Sequence, residues 1–309
     1  MKNNAQTLPV SSLGDISQVL EQLETILLGK REQLELAVAC MLAKGHLLIE
    51  DVPGTGKTTL AQALGVSMGL DWSRVQFTSD LLPADIIGVS IFNNNTQQFE
   101  FREGPVFTSV LLADEINRAP PKAQSALLEA MEERQISVDG HTYSLPNEFF
   151  VIATQNPVEQ LGAYPLPESQ LDRFLVGLAL GYPDPAIERQ LMASGDKRSA
   201  IKELKAVANV RQLEQWSTDA NAVHVADNIY DYIQALLLSS RESGTGLSSR
   251  AGLSLVRLCK AIAYIDKRDH VLPDDVQRVF PALAGHRLTG RVSTGRAAAL
   301  DILHKVPSP

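Results

Sequence analysis

Apolar positions along this chain follow two rhythms. Over residues 15–28 and 31–43 they recur at helical spacing, and Asp15 or Ser17 is placed to cap the first helix. From residue 46 short apolar runs alternate with helical stretches. The runs fall at 46–50, 74–77, 109–113, 148–154 and 175–180, and the helical stretches at 58–69, 121–134 and 168–174. Such alternation predicts a parallel sheet with helices on both faces.

Two segments interrupt the alternation. Gly88 to Phe101 alternates apolar and polar residues on both sides of Asn93-Asn94-Asn95, and Ile136 to Tyr143 does so around Asp139-Gly140; both read as hairpins. Past Gly181-Tyr182-Pro183-Asp184-Pro185 the pattern is helical throughout, with helices expected at 185–194, 209–218, 228–241, 249–266, 274–284 and 292–304. Gly244 to Ser249 reads as a flexible loop, with Ser248 or Ser249 capping the helix that follows. The expected organisation is a loose N-terminus (1–14), an α/β core (15–184) and an all-helical lid (185–309).

The first apolar run of the core leads into Asp51-Val52-Pro53-Gly54-Thr55-Gly56-Lys57-Thr58-Thr59. A strand, a glycine loop and a helix in this order form a phosphate cradle. Gly54 and Gly56 let backbone N–H groups converge on phosphate oxygens, and the helix adds the positive end of its dipole. Lys57 would reach the β and γ phosphates and the Thr58 hydroxyl would bind Mg²⁺. The usual pattern has glycine where this chain has Asp51. The run 109–113 then delivers Asp114 and Glu115. Asp114 would hold the Mg²⁺, usually through water, and Glu115 would orient and deprotonate the attacking water. The glycine loop, Asp114, Glu115 and Asn156 all fall at strand C-termini, where open α/β sheets bind ligands.

Asp114-Glu115-Ile116-Asn117-Arg118-Ala119, the helix Pro121 to Arg134, Ala153-Thr154-Gln155-Asn156-Pro157 and Tyr164 through Phe174 closely resemble the MoxR family of AAA+ ATPases, in the helix-2-insert clade. The resemblance spans about residues 15–305 and is most specific from 46 to 174. Glu-Asp before Val-Pro-Gly is usual in that family, so Asp51 is a mild departure. The resemblance implies an AAA+ P-loop NTPase core with a parallel five-stranded sheet, hairpin inserts and a helical lid. Asn156 resembles sensor 1, and Arg173 resembles an arginine finger that faces the γ-phosphate bound by a neighbouring subunit. Arg118 is the other candidate for that contact. Arg250 resembles sensor 2, which reports nucleotide state to the lid. The segment around Leu27, Leu28 and Gly29 would line the adenine pocket. The positions of the hairpins resemble the helix-2 insert and the pre-sensor-1 hairpin, both of which can point at the central pore in ring-shaped relatives; the plainer alternative is that they finish the sheet edge.

The family further implies Mg²⁺-dependent ATP hydrolysis by a homo-oligomer, a hexameric ring, coupled to chaperone-like maturation of partner complexes. The partner implied is a protein client or adaptor, often one with a von Willebrand factor A domain. Two other readings stand beside this one: a nucleic-acid motor of the same clade, and a nucleotide-gated scaffold with little turnover. The presence of Asp114, Glu115 and Asn156 argues against the scaffold.

Composition bears on the alternatives. Net charge is −8 across 309 residues, with 44% hydrophobic and 21% charged residues. That balance gives no strong nucleic-acid signal, since sequence-independent binding needs many Lys and Arg contacts to phosphate. The hairpin tips carry no Lys or Arg. Cys40 and Cys259, the two cysteines, sit in apolar helical patterns and read as buried reduced thiols, pointing to the cytoplasm. The six histidines form no metal-spaced cluster. No apolar run is long enough to span a bilayer, and the first residues lack the apolar stretch of a signal peptide. Asp266-Lys267-Arg268-Asp269 reads as a solvated mixed-charge face.

Overall fold

The computed structural model describes residues 15–156, 163–194, 201, 203–242 and 246–309. The expected loose N-terminus, Pro157, and Gly244-Thr245 of the expected loop lie outside them.

Helices α1 (Ile16–Ile26) and α2 (Arg31–Leu42) come first, and the Asp15 carboxylate caps α1 by accepting the Gln18 N–H at 3.1 Å. Strand β1 (Leu47–Glu50) leads into α3 (Lys57–Ser67), β2 (Trp72–Gln76), a short helix α4 (Pro83–Ile87) and the hairpin of β3 (Gly88–Asn93) and β4 (Gln98–Glu103). Strand β5 (Val110–Asp114), α5 (Pro121–Glu133), the hairpin of β6 (Gln135–Val138) and β7 (His141–Ser144), β8 (Phe150–Gln155), α6 (Glu168–Leu171) and β9 (Val176–Leu178) follow.

The main sheet is five-stranded and parallel, ordered β2-β5-β8-β1-β9. Its central strands are continuous apolar runs because both faces are covered. Leu47, Ile49, Val110, Leu112, Phe150 and Ile152 enter one core with α1, α2 and α3. Leu48, Leu111, Ala113, Val151 and Ala153 alternate with them and enter the other, against Leu127, Leu128 and Met131 of α5.

Neither hairpin completes the sheet edge; each is a separate two-stranded sheet. They touch each other instead, with Phe101 stacked on Tyr143 at 4.2 Å between ring centroids. The Asp139-Gly140 turn has both residues at positive φ, 52° and 77°, as a tight hairpin turn demands.

The C-terminal part is helical: α7 (Pro185–Ser194), α8 (Val210–Ala222), α9 (Asp227–Glu242), α10 (Ser249–Ile265), α11 (Pro273–Thr289) and α12 (Val292–Lys305). Ser248 caps α10 by accepting the Ala251 N–H. Leu255, Leu258, Phe280 and Leu283 extend the same apolar core that α1 to α3 build on the sheet. The lid helices therefore pack onto one face of the sheet through shared burial.

Two sequence expectations change. The helix expected over 274–284 runs on to Thr289. Gly285 is not its end but the point where α12 crosses closely: a Cβ on Gly295 would lie 1.9 Å from the Gly285 carbonyl oxygen. The charge run at 266–269 is more than a solvated face. Arg268 makes two hydrogen bonds to the buried Asp275 carboxylate, at 2.8 and 2.5 Å, and Asp275 in turn accepts the Leu272 N–H at the start of α11. Cys40 and Cys259 are both buried free thiols, and burial pushes both thiol pKa values up. No helix among the described residues is long and apolar enough to cross a membrane.

Candidate nucleotide site

The C-terminal ends of β1, β5 and β8 open onto a cleft of about 1290 Å³. Gly54 and Gly56, at φ 88° and 97°, curl the loop between β1 and α3 through a backbone region that side chains disfavour. The cleft wall includes Pro53, Gly54, Thr55, Gly56, Lys57, Thr58 and Thr59. Asp51 and Val52 are not part of that wall. Their carbonyl oxygens accept hydrogen bonds from Lys57 Nζ, at 2.7 and 3.0 Å. Burial lowers the Lys57 pKa, opposed by the charges of Asp51, Asp114 and Glu115.

Asp51 has a second role. Its carboxylate accepts the Val52 N–H at 2.9 Å and the Gly181 N–H at 2.7 Å. The start of the phosphate loop is thereby tied to the segment leading into the helical part. The preceding Glu50, also buried, accepts the Val292 N–H at the start of α12. A carboxylate at a helix N-terminus is favoured by the exposed N–H groups there. Two consecutive residues before the loop thus bind Gly181, ahead of the helical part, and Val292, at the start of its last helix.

Asp114 and Glu115 share Thr154 on the adjacent strand. Thr154 Oγ1 donates to Asp114 Oδ1 at 2.6 Å and accepts the Glu115 N–H at 2.8 Å. Glu115 itself sits at φ 57°, an uncommon conformation for a residue with a side chain. Gln76 and Arg118 both donate to its Oε2, at 2.8 and 3.2 Å. Arg74 of β2 forms an ion pair with Asp114 at 2.6 Å. Arg74, Thr154 and Asn156 line the cleft with Asp114 and Glu115. The Thr58 hydroxyl and the Asp114 carboxylate face this cleft as hard oxygen donors, a set that suits Mg²⁺.

The cleft also has an apolar lining. Ile26, Leu27, Leu28, Tyr182, Pro183, Leu191, Met192 and Ile201 belong to its wall. Gly29 is not part of the wall; it packs against Ile187 of α7. A loop suited to phosphates and apolar walls suited to a planar base together match the chemistry of a nucleotide.

Arg173 and Arg250 are elsewhere. Both line a second cleft, of about 390 Å³, whose walls share no residue with the first. Both pair with Glu132 of α5: Arg173 with one carboxylate oxygen at 2.8 Å and Arg250 with the other at 2.8 Å. Arg250 therefore does not reach the glycine loop of its own chain, and it travels with Arg173. Arg118, by contrast, is engaged with Glu115. Nearby, Arg287 of α11 binds the Asp172 carboxylate at 2.7 Å and the Phe174 carbonyl at 2.7 Å, fastening the lid to the segment that carries Arg173.

Arg74, Thr154, Gln76 and Glu132 were not assigned roles from the sequence. Thr154 stood inside a recognised motif, but its bonds depend on β8 lying beside β5. Arg74 depends on β2 lying beside β5, and no local signal marks that.

Residues 46–176 match the model of the ATPase family associated with various cellular activities (AAA), and residues 237–305 match the AAA lid domain. The chain is 45% identical to YeaC, an uncharacterized protein of Bacillus subtilis, over 88% of this chain and 86% of that one. It is 38% identical to chaperone MoxR1 of Mycobacterium tuberculosis, over 88% and 75%. It is 29% identical to protein MoxR of Methylorubrum extorquens, over 84% and 83%. A crystal structure of an ATPase candidate from Cytophaga hutchinsonii superposes with a TM-score of 0.83 at 35% identity, covering 95% of this chain and 94% of that one. The chain belongs to the MoxR family of AAA+ ATPases.

Proposed function

We propose that this protein hydrolyses ATP in the glycine-loop cleft, with Mg²⁺, and uses the cycle to remodel a partner protein complex. The observation that carries this reading is the convergence of Lys57, Thr58, Asp114, Glu115 and Asn156 on one cleft that also has apolar lining. Residues 15–184 act as the nucleotide-binding core and 185–309 as the lid. Leu27 and Leu28 hold the base, and the loop N–H groups and Lys57 hold the phosphates. Thr58 and Asp114 would hold Mg²⁺, which would supply positive charge to offset that of the phosphates. Glu115 takes the proton from the attacking water, and Asn156 orients that water or the γ-phosphate.

Arg173 and Arg250 cannot complete the site of their own chain, because they open onto a different cleft. We read both as acting on the nucleotide of a neighbouring copy, where a guanidinium stabilises transition-state charge. This is the physical reason for a ring, hexameric by family resemblance, working in the cytoplasm. The chaperone name of the Mycobacterium relative agrees with a protein client, and a von Willebrand factor A domain protein is the adaptor we propose.

Steady-state ATP turnover with Mg²⁺ tests the chemistry. Turnover in the unaltered protein, lost in Glu115→Gln while ATP still binds, and lost together with binding in Lys57→Ala, is the expected pattern. Turnover unchanged by either substitution would place the chemistry elsewhere.

A further inference from the structure

The second cleft carries more positive charge than its own carboxylates balance. Lys44, Arg134, Arg173, Arg250, Arg257 and Arg287 line it, against Glu132 and Asp172. Glu132 occupies Arg173 and Arg250, and Asp172 occupies Arg287. The remaining three have no carboxylate at ion-pair distance among the described residues. Arg134 donates to the carbonyl oxygens of Asn147 and Lys44. Arg257 donates to the Ser254 hydroxyl at 3.2 Å. In a chain of net charge −8, this concentration of basic groups in one concavity is not a consequence of composition.

The groups also converge by construction. Arg250, Ser254 and Arg257 lie at successive turns of α10, on the face that meets the cleft. Arg134 ends α5 at φ 51°, which turns it toward Lys44. Burial lowers the Arg257 pKa, opposed by Cys40, and the Arg250 guanidinium lowers it further; burial lowers that of Arg134, opposed by Glu148, with Arg257 adding to the lowering. An anion between them would relieve that crowding.

We propose that Arg257, with Arg134, Lys44 and the Ser254 hydroxyl, forms a binding pocket for a phosphate group, in the cleft shared with the Arg173 and Arg250 pair. A guanidinium offers two parallel donors to an oxyanion, and an ammonium and a hydroxyl supply the rest. The phosphate is either free inorganic phosphate or the terminal phosphate of a nucleotide held by a neighbouring copy. Only the second source rests on the ring reading above.

The test separates the two. Inorganic phosphate is titrated by calorimetry into Lys57→Ala protein without nucleotide, so that the glycine loop contributes little. Adding Arg257→Gln is expected to weaken phosphate binding about tenfold or more, the effect of losing a charge-assisted hydrogen bond, with Arg257→Lys retaining part of it. That outcome identifies free phosphate. Alternatively, phosphate binding is absent, and Arg257→Gln in assembled Glu115→Gln protein weakens ATP binding about tenfold; that identifies the neighbour's nucleotide. If phosphate affinity is absent or equal with and without Arg257→Gln, and ATP affinity is unchanged, the pocket does not exist. Matched unfolding curves without phosphate show that the variants are folded. Failure of ATP turnover alone would count against the proposed function and leave the calorimetric readout intact.

Discussion

The Asp51 carboxylate accepts the Gly181 N–H at 2.7 Å, joining the phosphate loop to the segment that enters the lid. The residue that departs from the common phosphate-loop pattern is thus a structural tie. Asp51→Gly, although it restores the usual glycine, is expected to destabilise the fold by about 1.5–3 kcal/mol, the range for a hydrogen bond to a charged group. Chemical denaturation measures this. Turnover is expected to fall more than ATP affinity, since the loop itself remains while its link to Tyr182 and Pro183 is lost.

Thr154 holds both acids of the site with one hydroxyl. Thr154→Val keeps the shape but leaves the Glu115 N–H without its acceptor and Asp114 Oδ1 without the hydroxyl donor, while Arg74 still donates to Oδ2. We expect turnover to drop by about tenfold or more, and stability by about 1–3 kcal/mol, from the unsatisfied buried groups. Thr154→Ser is expected to retain most activity; equal loss in both variants would assign the effect to packing.

The parts of this arrangement that were legible in the sequence are the local ones. The glycine loop, Asp114-Glu115 and the strand ending in Asn156 are contiguous motifs, and the buried strands announce themselves as apolar runs. The rest depends on neighbours distant in the chain. Asp51 reads as a residue of the phosphate cradle, but its carboxylate's bond to the Gly181 N–H becomes visible only in the fold. Arg250 reads as a reporter of nucleotide state to the lid; that α10 packs so that it pairs with Glu132 is visible only in the fold. The five-residue α4 is too short to show a period, and the close approach of Gly295 to Gly285, inside a helix that runs past the expected 284, is not revealed by sequence alone.

Glu132 is shared by Arg173 and Arg250. Because these ion pairs are partly exposed, Glu132→Ala is expected to change stability by less than about 1 kcal/mol. Its effect is expected on turnover: kcat falls as the two guanidiniums lose their common anchor, while KM for ATP changes little. A variant with kcat intact would show that the shared carboxylate does not set the arginine geometry.

His46 and His286 are buried neutral, and burial pushes each pKa down to about 3. For His46 the tautomer follows from its partners: Val151 N–H donates to Nδ1, so Nε2 carries the proton and donates to the Met131 carbonyl. The unfolded chain binds these protons near pH 6.5 and the folded one only near pH 3. Their contribution to stability is therefore complete above about pH 6.5 and is lost progressively as pH falls toward 3, at up to about 1.4 kcal/mol per pH unit for each histidine. Unfolding free energy measured against pH checks this. His46→Gln is expected to lower stability at pH 7 and to flatten the acid slope.

The central claim is that each active site takes its loop and acids from one copy and its arginines from the next. Lys57→Ala protein has intact arginines and a disabled loop; the double variant Arg173→Ala, Arg250→Ala has the reverse. Each alone should be nearly inactive. ATP turnover of a mixture of the two, under assembly conditions, tests the claim directly. The account predicts turnover well above the sum of the separate proteins, rising and then falling as the mixing ratio is varied. Turnover equal to that sum at every ratio would contradict it.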